Sequence, residues 1–508
     1  MKKSTPFFIT LLLLLLTQTV ICQNLVINEI VTSNTTINQD EDGSYQDWVE
    51  LRNNSASTIN LTGFGLTDDA TLPYKWTFPN VSIGAGQYLL IWCSDKNRTV
   101  PGSPLHTNFK ISSSGEAITL TNASGVTLDV VPATVILQNL SYGRLPNGTG
   151  SFKFFNVVTP AAANGTVGYT EALSPPTFSK ESGFLTAGFN LTLSTSVPGA
   201  TILYTLDGSE PQSSNLGGTT YSYKNKYAEH PGQTTGSLLT KNFKTLQYST
   251  PIAIVDRSSQ ANKIASISST YSFDPTYIPA SPIYKGTVVR AKLVKPGSLD
   301  SQTVTNTYYI SPLGTNRFSL PIVSLSLDED KLFDYTNGIY VAGKDFDTWR
   351  TANPTEEPDY VENTSNYWRK GIENEKRANM TYFVNGLPVM NTDIGIRIHG
   401  GSTRAFESKS LNLYARSDYG SSTIDYKFFN SKSDDKFESL VLRNSGGDFR
   451  NTMFRDALNH KLIKSLNCIT ESYQPTVTFV NGEFWGILNI RERYDDNYFK
   501  RTFNIDKI

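Results

Sequence analysis

The chain of 508 residues sets 45 lysines and arginines against 46 aspartates and glutamates, and the net charge of −1 offers no general pull on polyanions. That balance argues against a nucleic-acid binder. Charged residues are 18%, below the roughly 25% usual in globular chains, while aromatics are 12% and glycines number 36. Such a composition suits β-rich extracellular modules and excludes disorder of the chain as a whole.

The amino terminus reads Met1-Lys2-Lys3 and then an apolar run from Phe7 to Leu16. The run is too short for a bilayer, which needs about 20 residues, but has the length of a signal-peptide core. A signal peptide over residues 1–22, cut after Cys22, is expected. Acylation of Cys22 as a lipoprotein is the alternative, against which Ile21 is bulkier than the small residue wanted there. The expected location is secreted or cell-surface, with no transmembrane segment in the mature chain. Loss of Cys22 leaves Cys93 and Cys468, far apart in sequence, so no disulfide framework is expected and hydrophobic cores must hold the protein together. At about 150 residues per domain, the mature length predicts three domains.

Residues 23–166 form a series of short alternating runs without an amphipathic helical stretch, and read as all-β. Ile118 and Leu120 alternate on one run and Val126, Leu128 and Val130 on the next, joined by Asn122-Ala123-Ser124-Gly125 as a hairpin loop. Ile27-Asn28-Glu29-Ile30, Asp47-Trp48-Val49-Glu50-Leu51, Leu61-Thr62-Gly63-Phe64, Ser141-Tyr142-Gly143-Arg144 and Thr159-Pro160 resemble the lamin-tail domain. The resemblance implies an immunoglobulin-like β-sandwich serving attachment or interaction in bacterial exported proteins, and no catalysis. The acidic loop Asp40-Glu41-Asp42-Gly43, with Asp47 nearby, offers oxygen ligands of the kind Ca²⁺ takes, which makes Asp40, Asp42 and Asp47 candidate ligands. A solvated acidic turn is the plainer reading. The Asn-x-Ser/Thr sites at Asn34, Asn60, Asn97 and Asn122 read as turn chemistry.

Ser174-Pro175-Pro176 opens a second domain, residues 167–311. Ile202, Tyr204 and Leu206 alternate before Asp207-Gly208, and Val289, Ala291 and Leu293 before Pro296-Gly297, as strands ending in tight turns. Residues 212–281 are long, polar and rich in Thr, Ser and Tyr, and read as an insertion or mobile surface loop. Thr201 to Pro211, with Gly286 to Ala291, is similar to the chitobiase/β-hexosaminidase C-terminal-type domain. That family implies a non-catalytic β-sandwich beside an enzyme. Asp207 and Glu210 are therefore not read as a glycosidase pair, since paired carboxylates must flank a cleft at roughly 5 to 9 Å and one turn supplies none.

Residues 312–508 read as a third, α+β domain. Pro321 to Leu327 and Asp393 to His399 are strands, the second with Ile394, Ile396 and Ile398 on one face. Gly400-Gly401 turns into a strand from Lys409 to Tyr414 on which Leu411 and Leu413 share the side of Lys409. Phe454, Leu458, Leu462 and Leu466, widened by Met453, Ala457 and Ile463, predict a helix whose apolar face packs on the sheet. Thr476 to Val480 and Glu483 to Arg491 flank the hairpin turn Asn481-Gly482, read as a turn and not a site, and Trp485 is expected in the core. Asp495-Asp496-Asn497 reads as a helix start.

Arg397-Ile398-His399-Gly400-Gly401-Ser402, Lys409-Ser410-Leu411, Leu442-Arg443-Asn444-Ser445, Arg455-Asp456-Ala457-Leu458 and Val480 to Gly486 resemble the CotH kinase family. The resemblance implies an atypical kinase-like amino-lobe and ATP-dependent phosphorylation of a secreted or surface protein. A glycine turn lets backbone N–H groups approach phosphate, and a strand lysine supplies a fixed charge. Gly400, Gly401, Arg404 and Lys409 are the candidate nucleotide contacts, with Mg²⁺ or Mn²⁺ as companion. Lys409 is the candidate catalytic lysine, held by Asp456 or by Glu492; Arg404 and Arg443 are equally readable as structural, and a lone His399 as polar surface. The 16 residues after Glu492 leave no room for a carboxy-lobe, so a truncated record, inactive as it stands, is expected. The fold class is thus multi-domain and mainly β: two immunoglobulin-like β-sandwiches, then an α+β kinase-like amino-lobe. The alternative function is a non-catalytic adhesion or carbohydrate-associated scaffold, with a surface polysaccharide or protein held by the β-sandwiches.

Overall fold

The structure is a computed structural model that describes residues 24–359, 364–466 and 468–505. The expected signal peptide, with Cys22, lies outside the described residues. The chain divides into two compact units, residues 1–34 with 38–168 and residues 35–37 with 169–508. Both are mainly β. Among the described residues no helix is long and apolar enough to cross a membrane, and Cys93 and Cys468 are free thiols.

The first unit contains a six-stranded sheet, in the order Ser151–Phe155, Ser141–Leu145, Leu25–Val31, Asp47–Asn53, Tyr88–Cys93 and Leu105–His106. A four-stranded sheet runs Thr127–Val131, Ile118–Thr121, Gly65–Thr67 and Trp76–Thr77. Ile27, Trp48, Leu51, Leu66, Ile118 and Leu120 are buried in its core. The hairpin expected around Asn122 forms, but its second strand presents the opposite face: Val126 and Val130 are exposed, while Asp129 and Val131 are buried. Its register shifts between Thr127 and Asp129. A bulge of this kind exchanges the two faces of a strand. The inward Asp129 is satisfied by the Ile27 N–H at 2.8 Å and by Arg144 Nη2 at 2.6 and 2.8 Å, which ties the two sheets together.

The lamin-tail signature residues are the polar interior of this unit. Asn28 Nδ2 donates to Glu50 Oε1 at 2.8 Å and to Asn164 Oδ1 at 3.2 Å, and the Ala161 N–H donates to Glu50 Oε2 at 2.6 Å. Glu29 accepts from Ser141 and from Thr159 Oγ1. Burial, with the neighbouring Glu29 adding to it, pushes the Glu50 carboxyl up to about 8. Buried polar groups need such partners, and this amide-rich set supplies them to one another.

In the second unit, a five-stranded sheet has the order Gly183–Leu185, Val304–Ile310, Thr287–Val294, Thr201–Thr205 and Leu246–Gln247. Beside it stands a closed seven-stranded barrel. The barrel order is Ile322–Ser326, Lys376–Val384, Leu387–His399, Ser410–Tyr414, Ser439–Arg443, Glu483–Glu492 and Tyr473–Val480, closed by the parallel pairing of the last with the first. Ile394, Ile396, Ile398, Leu411, Leu413, Leu440, Leu442, Leu488 and Ile490 point into one core. Where an α+β lobe was expected, the sheet closes on itself, and its core also takes Leu332 and Phe333 from the short helix Glu329–Phe333.

Two segments depart from expectation in opposite senses. The helix Arg455–Ile463 forms, but its apolar stripe does not pack on the sheet: Leu462 is 67% exposed and Leu466 66%. Conversely, the segment 212–281, read as an insertion or mobile surface loop, sends part of its side chains into the core. Tyr221, Tyr223, Tyr227, Phe243, Ile264, Ile267 and Tyr271 are buried in the same apolar cluster as the barrel interior. Tyr271 stacks on Phe346 of the helix Gly343–Ala352 at 4.7 Å, and Tyr227 meets Phe346 edge-on at 5.7 Å. Arg350 of that helix donates to the Ala228 and Glu229 carbonyls at 2.8 and 2.7 Å.

The turn at Asp207-Gly208 rests on the hairpin turn at Asn481-Gly482. Gly208 has φ +84, and a Cβ there would fall 2.3 Å from Asn481 Oδ1, so both conformation and space require glycine. The Gly286 N–H donates to the Gly482 carbonyl at 2.8 Å, and the Asn481 amide brackets Leu327 with two bonds of 2.9 Å. Asn481-Gly482 is the expected turn, and it also joins the two sheet systems of this unit. Trp485 is partly buried against the barrel core, its Nε1 donating to Tyr340 Oη at 3.0 Å.

Candidate functional site

Alternation sends every second residue of the barrel strands outward. On adjacent strands these are Arg397 and His399, then Asn412 and Tyr414, then Arg443, then Arg491. Three guanidinium groups surround the Tyr414 ring: Arg397 at 4.2 Å from its centroid, Arg416 at 5.1 Å and Arg493 at 5.2 Å. Such contacts hold cations in place without consuming their charge. Carboxylates are fewer. Arg397 and Arg416 share the buried Glu375, at 3.4 and 2.5 Å, while Arg443 and Arg491 share Asp456, at 3.0 and 3.1 Å, and Arg491 also pairs with Glu471 at 2.8 Å. Arg493 pairs with Asp495, which also caps the helix Asp496–Phe503 by accepting the Tyr498 N–H. Burial, and then the charge of Arg443, push the His399 imidazole down to about 4, so it is neutral at physiological pH.

The residues singled out from sequence separate around this face. Gly400, with φ +113, sits at its rim, and its carbonyl accepts from Arg404 Nε at 2.6 Å. Gly401 precedes the short turn Ser402–Ala405. Arg404 Nη1 donates to the Tyr367 carbonyl at 3.0 Å, so the arginine already anchors two carbonyls. Lys409 lies on the inner side of the barrel, as its phase with Leu411 and Leu413 requires. It is fully buried, and Nζ donates to the Arg404 and Phe406 carbonyls at 2.7 and 2.8 Å, 4.0 Å from the centroid of the Tyr367 ring. Burial holds its pKa well below the usual lysine range.

The expected partners of Lys409 are engaged elsewhere. Asp456 belongs to Arg443 and Arg491; Glu492 accepts from Lys432 Nζ at 2.7 Å and from the Ser472 N–H at 2.8 Å. Among the described residues no carboxylate comes within ion-pair distance of Lys409. What sequence reasoning did not assign is Tyr414 with Arg397, Arg416 and Arg493. The signal was present in Ile394-Gly395-Ile396-Arg397-Ile398-His399, where apolar and polar residues alternate.

The candidate Ca²⁺ ligands do not converge. Asp40 and Asp42 are bound by Lys96, and Asp42 also by Arg98 at 2.6 Å; Asp47 instead accepts the Asn34 N–H at 3.0 Å, and burial pushes it up to about 6. Among the described residues no group of three His, Cys, Asp or Glu side chains is placed to hold a metal. The same loop carries a hydrogen-bonded chain, Ser94 Oγ to His106 Nδ1 at 2.7 Å and His106 Nε2 to Glu41 at 3.0 Å. Ser94 and His106 are both buried, and the chain pins the acidic loop. Glu210 pairs with Arg290 at 2.6 Å and Asp207 caps the Ser209 N–H at 3.1 Å, so both carboxylates hold their turn.

Comparison with known families follows this division. Residues 396–507 match CotH kinase protein. The arginine face lies largely within that match. Residues 22–134 match the Lamin Tail Domain, and residues 191–308 match Fn3 associated, the region whose turn motif resembles the chitobiase-type module. The three matches keep the order read from the sequence. No curated protein matches the chain.

Proposed function

We propose that the CotH-like barrel binds the phosphates of a nucleoside triphosphate on its arginine face, as the nucleotide-facing half of a secreted protein kinase. The observation that carries this reading is the set of guanidinium groups around Tyr414 and His399, which outnumber their carboxylates within a segment similar to CotH kinases. Arginine suits phosphate because its planar fork donates two parallel hydrogen bonds. Here Arg443 and Arg493, partly exposed, meet the phosphate, while Glu375 holds Arg397 and Arg416 in position. Lys409 acts as a positioning residue, fixing the Ser402–Ala405 turn at the rim.

Bound Mg²⁺ or Mn²⁺ would neutralise charge between phosphate groups. Transfer to a secreted or surface protein also needs carboxylates that hold the metal and orient the nucleophile, which in kinases stand on a second lobe. The arginine face by itself supports the nucleotide-binding part of this reading. Export through the amino-terminal segment and attachment through the lamin-tail module complete the reading.

The test is a thermal shift of the chain with ATP and Mn²⁺, since a ligand that binds only the folded state raises its stability. A rise that is lost in Arg493→Gln and kept in a variant of the lamin-tail unit, Lys96→Gln, supports the proposal. No rise in the unaltered chain overturns it and leaves the non-catalytic scaffold.

A further inference from the structure

The second unit contains a cleft of ≈ 830 Å³ whose walls come from both the Fn3-associated region and the barrel. It is formed by the inserted strand Thr219–Tyr223, the segment from Asp328 to Asn337 and the entry to the strand Lys376–Val384. The volume lies in the range of small-ligand sites, about 300 to 1,000 Å³. Its lining is strongly polar and carries both signs of charge.

Many of these charges are already satisfied. Glu210 pairs with Arg290, Lys331 with Asp330 at 3.0 Å, and Arg377 with Asp393 at 2.7 Å. The others are not. Lys376 Nζ has one hydrogen bond, to the Glu373 carbonyl at 3.2 Å, and no carboxylate within ion-pair distance among the described residues. Burial and then the charges of Lys331 and Arg369 hold its pKa below the usual lysine range. Glu373 is exposed at the rim, and its side chain accepts only from the amide of the adjacent Asn374, at 3.2 Å. Asp328 accepts the Glu210 N–H at 2.7 Å and has a second oxygen to offer. Thr219, Thr220 and Asn337 add neutral donors and acceptors.

This alternation selects the ligand. An anion entering the cleft meets the carboxylates of Asp328 and Glu373, and a cation meets the ammonium of Lys376. A neutral polyhydroxylated molecule has neither conflict, because each hydroxyl donates to a carboxylate and accepts from an ammonium or amide. We propose that this cleft binds a neutral oligosaccharide, with Glu373 accepting from and Lys376 donating to its hydroxyls. Among the described residues the one aromatic residue on the wall is Tyr221, buried with its hydroxyl on Glu329 at 2.9 Å, so affinity comes from hydrogen bonds and not from stacking. The cleft borders the arginine face at Glu375, which lines it and holds Arg397 and Arg416, but the proposed ligand contacts Glu373 and Lys376 are not part of that face.

The test uses the full chain and isothermal titration with neutral hexasaccharides of glucose, mannose, xylose and N-acetylglucosamine, with hexagalacturonate as the anionic control. Hydrogen bonds to charged groups contribute enough that losing one weakens binding about tenfold. Binding of at least one neutral hexasaccharide, weakened about tenfold by Glu373→Gln and by Lys376→Met with the melting temperature of Glu373→Gln unchanged, is the expected result. Absence of binding by every neutral hexasaccharide at millimolar concentration overturns the proposal. So does tighter binding of hexagalacturonate, or neutral binding that neither variant alters.

Discussion

The insertion 212–281 and the helix Arg455–Ile463 exchange the roles their sequences suggest. The first is polar, rich in Thr, Ser and Tyr, yet buries Tyr221, Tyr223, Tyr227 and Tyr271; the second has an apolar stripe at helical spacing and is exposed. Tyrosine accounts for the insertion. Its ring contributes as much apolar area as a large hydrophobe, and its hydroxyl finds a partner, as Tyr227 does with the Gly343 N–H at 3.0 Å and Tyr221 with Glu329 at 2.9 Å. The helix teaches the converse. A stripe records that a face is apolar, but a closed barrel has no uncovered apolar face left to receive it.

The strongest way to break this comparison is Tyr227→Ala. It removes a fully buried ring and leaves the Gly343 N–H unpaired, and should destabilise the second unit by about 3–5 kcal/mol in denaturant melts. A loss below about 1 kcal/mol would return the insertion to the surface.

Lys409→Ala comes next. It strands two buried carbonyls, and about 2–3 kcal/mol of stability should be lost whether or not nucleotide is present. An unchanged melting temperature with lost ATP binding would instead make Lys409 a phosphate contact.

A smaller effect is expected from pH, because Lys263 of the insertion pairs with Glu329, whose carboxyl burial pushes up to about 7. A raised carboxyl favours the folded state while protonated. Its contribution is therefore complete below the unfolded value near 4.5 and is lost as pH rises through about 7. The slope should be at most about 1.4 kcal/mol per pH unit, and Glu329→Gln should flatten that part of the stability profile. The smallest effect belongs to the helix: Leu462→Ser should change stability by no more than about 0.5 kcal/mol. A loss of 2 kcal/mol or more would show that the stripe is covered in the folded chain.

Local patterns were legible where alternation and turn chemistry act within a few residues. The strands around Ile394 to Ile398 and Leu411 to Leu413, the hairpin at Asn481-Gly482 and the helix start at Asp495 all follow from spacing alone. The face of the strand Thr127–Val131 did not, because a single bulge beside Asp129 exchanges inward and outward residues. The candidate site was half legible. Arg397, His399 and Arg443 stood in recognisable motifs, but the gathering of Arg397, Arg416 and Arg493 around Tyr414 requires four strands in register, which no local window contains.

The sequence by itself determined the order of the three similarities, the mainly β character and the phase that puts Lys409 on the side of Leu411 and Leu413. Only the tertiary structure decided that this side is the inside of a closed barrel. There a lysine loses its water and must spend its protons on the Arg404 and Phe406 carbonyls, while Arg397 and Arg443, out of phase with it, stay partly exposed and pair with Glu375 and Asp456. Phase is a property of two neighbours, but inside and outside are decided by what the sheet closes around.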